Sequence, residues 1–268
     1  MYELTYVKAG SLAEAAALLA AHPEAKLLSG GMTLIPTLKQ RLARPSHLID
    51  ITQLRELKGI DLQGNRLSIG AATRHAEVAR SETVRKAIPA LAALAHQIGD
   101  PQVRNRGTIG GSVANNDPAA DYPAAVLGLN AEVVTSRGTH AGETFFQGVF
   151  ATALEEGEIV TRIHFPVPRR AAYAKFPHPA SGYAMTGVFV ADFGGAVRVA
   201  VTGAGPGVFR WSEAEAALAR DFRAAALQPL EVAADGLNAD IHAPAEYRAN
   251  LVKVMAMRAV ESLQGSGR

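Results

Sequence analysis

The sequence predicts an α+β protein: two consecutive αβ subdomains, then an antiparallel sheet followed by helices. Three observations carry this. Strand-like and helix-like patterns alternate through the first half of the 268 residues. A glycine-rich turn leads into a helix once in each of the two units, at Gly30-Gly31 and at Gly107–Gly111. Beyond Pro166-Val-Pro168 the pattern changes to paired strands around the turn Asp192-Phe-Gly-Gly195, then to helices. The implied units are 1–58, 59–168 and 169–268.

The elements follow in order. Ser11 and Glu14 have capping-box spacing, so a helix is expected over Ala13–Ala21. Ala25–Leu28 reads as a short strand broken by Gly30-Gly31. Thr33 is expected to cap the next helix, with Pro36 in its first turn and Leu34, Ile35, Leu38 and Leu42 on its apolar side. His47–Ile51 is a strand. The second unit begins near Ile60 with a strand at Arg66–Ile69, and Thr73 is placed to cap the helix after it. Val84–Ile98 is helical around Pro89. Asp117–Leu129 reads as helix from Ala119, with Pro118 in the first turn. Ala131–Thr135 and Glu158–Phe165 are strands. The third unit holds strands at Tyr173–Phe176, Ala184–Phe193 and Ala196–Gly203. A second capping box is read at Ser212 and Glu215, a long amphipathic helix over Glu246–Leu263, and a frayed tail at Gln264–Arg268.

Composition narrows the function. The chain is 48% hydrophobic and 19% charged, with formal net charge +2 and no dense basic run, which argues against nucleic acid and anionic membranes as partners. No apolar run reaches membrane-spanning length. Glu3, Lys8 and Glu14 interrupt the apolar N-terminal stretch and no basic segment precedes it, so an amphipathic helix is expected rather than a leader, and the cytoplasm is the expected location. The chain has no cysteine, so it supplies neither a thiolate nucleophile nor cysteine ligands for an iron–sulfur cluster. The eight histidines are scattered, without metal-ligand spacing.

The two glycine turns remain. A helix N-terminus presents unpaired N–H groups and a partial positive charge. Adjacent glycines let those amides approach an anion without a Cβ in the way. Two such turns in successive subdomains suit a diphosphate gripped from both sides. Neither a GxxxxGK[ST] nor a GxGxxG pattern occurs. Val201–Gly207 (VTGAGPG) reads as a strand-end turn.

The stretches SGGMTLIPTLKQRL, RNRGTIGGSVANNDPAADYPAAVLGLNAEV, EGEIVTRIHFP and YAKFPHPASGYAMTGVFVA resemble the FAD-binding medium subunits of the molybdenum hydroxylases, the group of the xanthine dehydrogenase FAD domain and the carbon monoxide dehydrogenase flavoprotein. The resemblance spans almost the whole chain. It implies a two-subdomain FAD-binding fold, PCMH-like, ahead of the C-terminal sheet. It implies that Lys26, Leu27, Leu28, Ser29, Gly30, Gly31, Met32 and Thr33 wrap the FAD pyrophosphate from one side, and Thr108, Ile109, Gly110, Gly111 and Ser112 from the other. Ile98 and Val160 would lie against the cofactor, Asp121 would accept a hydrogen bond from it, and Lys175 would approach the flavin. No catalytic acid, base or nucleophile is implied. Met32 stands where the family often has histidine or an asparagine-type polar residue, and Ser112 where Asp or Asn is common. The resemblance further implies electrons arriving from [2Fe-2S] clusters on a small subunit, a large subunit carrying the molybdenum cofactor, and a terminal acceptor. Two other readings fit the same features: a stand-alone FAD oxidoreductase, and a nucleotide-binding assembly protein without redox function.

Overall fold

The computed structural model describes residues 1–265. Its first unit is a three-stranded parallel sheet. β1 (Thr5–Lys8) leads to α1 (Leu12–Ala21), β2 (Lys26–Leu28), α2 (Leu34–Lys39) and β3 (His47–Asp50), in the order β1-β3-β2. Ser11 caps α1 by accepting from the Glu14 amide. The return arm of the box is displaced by one residue, since Glu14 accepts from Gly10 N–H at 2.7 Å. Thr33 precedes α2 with helical backbone angles and makes no side-chain cap bond, contrary to expectation. Leu38 is buried, whereas Leu42 lies beyond the helix and is 73% exposed, so it is not part of the apolar side.

The second unit is a five-stranded antiparallel sheet with helices packed against it. β4 (Ile60–Gln63) and β5 (Arg66–Gly70) form its first edge. The helices α3 (His75–Arg80), α4 (Glu82–Ala87), α5 (Pro89–His96), α6 (Pro101–Arg106), α7 (Ile109–Asn115) and α8 (Tyr122–Gly128) follow. β6 (Glu132–Thr135), β7 (Thr139–Ala141), a short α9 (Gly142–Phe145), the hairpin β8 (Phe146–Gly148) and β9 (Ala151–Thr152), and β10 (Val160–Pro166) complete it. The sheet order is β4-β5-β10-β6-β7.

Four local expectations change here. Pro89 splits the expected helix in two, because proline fits the first turn of α5 but cannot continue α4. Thr73 does not cap α3. It is buried and its hydroxyl donates to Gly59 O, while Arg74 takes the cap position. The Gly110-Gly111 segment is not a loop but the first turn of α7, capped by the Thr108 hydroxyl. The following helix starts at Tyr122, with Pro123 rather than Pro118 in its first turn. Between them Asn116 ends α7 in the left-handed region at φ 44°, and its side-chain amide donates to Gly148 O and Ala151 O.

The third unit is a four-stranded antiparallel sheet: β11 (Arg170–Pro177), β12 (Ala184–Asp192), β13 (Val197–Thr202) and β14 (Phe209–Arg210). The two-residue β14 is too short to show an alternation, so only three strands are legible in sequence. β12 is buried along its whole length, because both faces of the sheet are covered. Val188 and Val190 point toward α10 (Ser212–Arg220) and α11 (Ala245–Gly265), in a core with Leu218, Val252 and Met255. Phe189 and Ala191 point the other way, into the core of the second unit. The chain therefore breaks its strands at Pro166–Pro168 but shares a core across that break.

The expected capping box at Ser212 and Glu215 does not form. Glu215 turns inward to accept from Val199 N–H at 3.0 Å and from the Arg210 guanidinium. At the C-terminus Gln264 and Gly265 are helical, and the rest of the tail read as frayed lies outside the described residues.

Candidate functional site

A cavity of ≈ 740 Å³ is lined by residues of the first two units and by Ala180–Tyr183 of the third. That size suits a nucleotide-sized ligand. Its walls bring together Lys26, Leu27, Ser29, Gly30, Gly31, Met32 and Thr33 from the first glycine turn, and Thr108, Gly110, Gly111 and Ser112 from the second. Ile98, Asp121 and Val160 also line it. Leu28, Ile109 and Lys175 do not: Ile109 is fully buried in the core, and Lys175 sits behind the wall.

The two turns touch. Ser29 Oγ and Thr108 Oγ1 are hydrogen-bonded at 2.8 Å. A Cβ on Gly30 would stand 2.3 Å from Arg106 O and 2.6 Å from Gly107 Cα, so only glycine permits this approach. Gly31 adopts φ 72°, a conformation that a side chain disfavours.

Their donors differ. Among the described residues the backbone N–H groups of Gly30, Gly31, Met32 and Thr33 have no hydrogen-bond partner within the chain. The second turn was expected to offer the same, but of its residues Thr108 to Ser112 only Thr108 keeps an unpaired N–H. Ile109 N–H donates to Thr73 O at 3.1 Å and Gly110 N–H to Ala71 O at 2.8 Å. Gly111 N–H is taken by Thr108 Oγ1 and Ser112 N–H by Thr108 O. The first turn is thus the anion-ready one.

Farther along the cavity, Asp121 is buried with both oxygens occupied. Tyr173 Oη donates to Oδ1 at 2.5 Å, and Lys175 Nζ lies 2.9 Å from Oδ1 and 3.0 Å from Oδ2. Lys175 also donates to Gln97 O. Burial pushes the Asp121 carboxyl upward and the adjacent ammonium opposes that shift. The Lys175 charge is spent on Asp121 rather than presented to the cavity. Pro118 O and Ala120 O accept from Thr202 Oγ1, and Gly203 N–H donates to Pro118 O, which fixes this wall to β13.

The mouth is bounded by the His178–Tyr183 loop. Tyr183 is 43% exposed and lines the cavity, and the loop is closed by His178 N–H donating to Tyr183 O at 2.7 Å. Burial raises the Tyr183 phenol, Asp117 and Asp121 add to this, and the Thr33 hydroxyl opposes it.

Sequence reasoning did not select Ala71, Ala72, His75, Asp100 or Ile159, all of which line the cavity. The small pair Ala71-Ala72 after β5 was the available signal: Gly110 packs so closely there that a Cβ would lie 2.4 Å from Ala71 Cβ. Nothing local distinguishes His75 from the other histidines.

Two glycine turns from successive lobes meet beside one cavity, with four unpaired amides on the first and one on the second. The glycine cradle and the unpaired amides fit a diphosphate. Comparison with known proteins names the class. Residues 2–168 match the model of the FAD binding domain in molybdopterin dehydrogenase, and the chain belongs to that family. It is 35% identical over 271 residues to the carbon monoxide dehydrogenase medium chain of Hydrogenophaga pseudoflava, covering 94% of each chain. It is 38% identical over 195 residues to the glyceraldehyde dehydrogenase medium chain of Sulfolobus acidocaldarius, covering 70% of this chain and 69% of that one. In three dimensions it resembles a chain of quinoline 2-oxidoreductase from Pseudomonas putida 86, with TM-score 0.89, 29% identity, and coverage of 100% of this chain and 99% of that one. The protein is an oxidoreductase subunit of the molybdenum hydroxylase type, and its cofactor is FAD. Among the described residues no helix is long and apolar enough to cross a membrane.

Proposed function

We propose that this chain is the electron-transfer subunit of a cytoplasmic molybdenum hydroxylase complex. It carries electrons from the [2Fe-2S] clusters of a small subunit to a terminal acceptor, while a large subunit holding the molybdenum cofactor oxidises the substrate. The site residues are those of the two glycine turns with Ile98, Asp121 and Val160, and the units 1–58 and 59–168 supply its two walls. The chain's lack of cysteine agrees with clusters held elsewhere.

The observation that carries this reading is the row of four unpaired amides from Gly30 to Thr33, on residues that line the cavity beside the second turn. These amides would bind the anionic diphosphate by charge-assisted hydrogen bonds. Ser29 and Thr108 would keep the two lobes at a fixed spacing around it. Asp121, held by Tyr173 and Lys175, would present a rigid wall, and Tyr183 would shield the mouth from water. Bound flavin supplies one- and two-electron chemistry, so no side chain need act as acid or nucleophile. The relatives act on carbon monoxide, glyceraldehyde and quinoline by their names, which fits substrate choice residing in another subunit.

The test is a titration of the purified chain with FAD and with riboflavin, followed by flavin fluorescence. FAD binds with one equivalent, and riboflavin, lacking the diphosphate, binds at least about a hundredfold more weakly, the equivalent of about 2.7 kcal/mol. Equal affinity for the two would overturn the assignment of the Gly30–Thr33 amides. Isolation of the native complex should bring down iron and molybdenum with this chain. Their absence from a stable flavin-loaded native assembly would refute the electron-transfer role.

A further inference from the structure

Among the described residues His75 is the one histidine that lines the cavity. It begins α3, is 4% exposed, and donates its backbone N–H to Gly107 O at 3.0 Å. Its ring supports the second turn from behind: a Cβ on Gly107 would lie 2.6 Å from Nε2 and 2.8 Å from Cδ2. Nδ1 is buried with no hydrogen-bond partner in the chain, and so is the hydroxyl of Tyr122, whose ring centroid lies 5.4 Å from that of His75.

We propose that His75 is a positioning residue for FAD: its uncharged ring props the Gly107–Thr108 turn against the Ser29–Thr33 turn, and protonation of that ring releases the turn and with it the cofactor. This rests on the assignment of the cavity to FAD.

The groups packed around the ring explain why it serves only when neutral. Arg104 on α6 faces it with a positive charge, and Tyr122 on α8 offers a neutral hydroxyl. On its own helix, Glu77 is engaged by the Arg74 amide, and no carboxylate contributes to the His75 shift. Burial, assisted by Arg104, lowers the imidazole from 6.5 to about 4. The sign follows. With the turn released and the ring solvated, the imidazole returns toward 6.5 and binds a proton that the closed form rejects between about 4 and 6.5. The closed form is therefore fully favoured above 6.5 and progressively disfavoured as pH falls toward 4. A released turn breaks the Ser29–Thr108 bond and moves Gly107 away from Gly30, which separates the two walls of the site.

The experiment uses the full chain and three forms: the natural protein, His75→Phe and His75→Ala. FAD dissociation constants are measured by flavin fluorescence from pH 7.5 to 5.0, with circular dichroism confirming that each form stays folded. The natural protein loses at least about tenfold in affinity across this range, as linkage to one proton allows. His75→Phe keeps the prop without the titration, and its affinity is flat. His75→Ala binds FAD about tenfold more weakly at pH 7.5, since the turn loses its support. In parallel, histidine-selective NMR titration shows a lower His75 pKa in the FAD-loaded chain than in the apo chain. An acid loss in His75→Phe equal to that of the natural protein, or identical His75 pKa values with and without FAD, overturns the proposal even though FAD binds. Failure of the natural chain to bind FAD at pH 7.5 refutes the FAD assignment itself, and this role with it.

Discussion

The two glycine turns look alike in sequence and work differently in space. In the turn Ser29–Thr33, the amides of Gly30, Gly31, Met32 and Thr33 are unpaired, and the cavity is where they can be satisfied. In the turn Gly107–Ser112, the amides from Ile109 to Ser112 are all consumed within the protein. Its glycines answer a packing demand instead, with Gly110 against Ala71 and Gly107 against His75. One turn leaves a run of amides unpaired, and the other is a close-packed abutment against it. Glycine is required in both, because a Cβ would strike neighbouring atoms at Gly30, Gly107 and Gly110, and Gly31 holds a positive φ.

That contrast can be broken first at Gly30, which belongs to both roles. Gly30→Val would drive a side chain into the Arg106–Gly107 backbone and part the turns. FAD binding should weaken by roughly a hundredfold or more, about 2.7 kcal/mol, read by flavin fluorescence. Retention of natural affinity would show that the turns need not touch. Gly110→Val should act differently, lowering the stability of the FAD-free chain by about 1–3 kcal/mol through overpacking against Ala71. Urea denaturation of the apo form measures this. If stability holds while FAD affinity alone collapses, Gly110 faces the ligand and the division of labour is wrong. The smallest effect belongs to Met32→Gln. Met32 is 37% exposed and on this reading would contribute only its backbone amide, so both stability and FAD affinity should change by no more than about 0.5 kcal/mol. A larger loss of affinity would transfer the contact from backbone to side chain.

Much of the fold was legible because its signals are local. Ser11 caps α1, the Asp192–Gly195 turn joins β12 to β13, and Pro166–Pro168 interrupts the strands, each through torsions and hydrogen bonds spanning a few residues. Capping errors arose where a polar residue found a distant partner that outcompeted the local one. Thr73 reaches Gly59 O, and Glu215 reaches Val199 N–H and Arg210. The site was legible in its glycines and opaque in its charges. Lys175 looked available for a flavin, but the fold buries it against Asp121, a residue 54 positions earlier.

The sequence alone determined where the chain could turn tightly, which stretches could be strand or helix, and that its 268 residues offer no cysteine ligand for an iron–sulfur cluster. Only the tertiary structure decided which amides remain unpaired, which ions neutralise each other, and which histidine stands behind the site. A torsional preference is carried by a residue and its neighbours, whereas the satisfaction of a hydrogen bond or a charge depends on segments that meet only after folding.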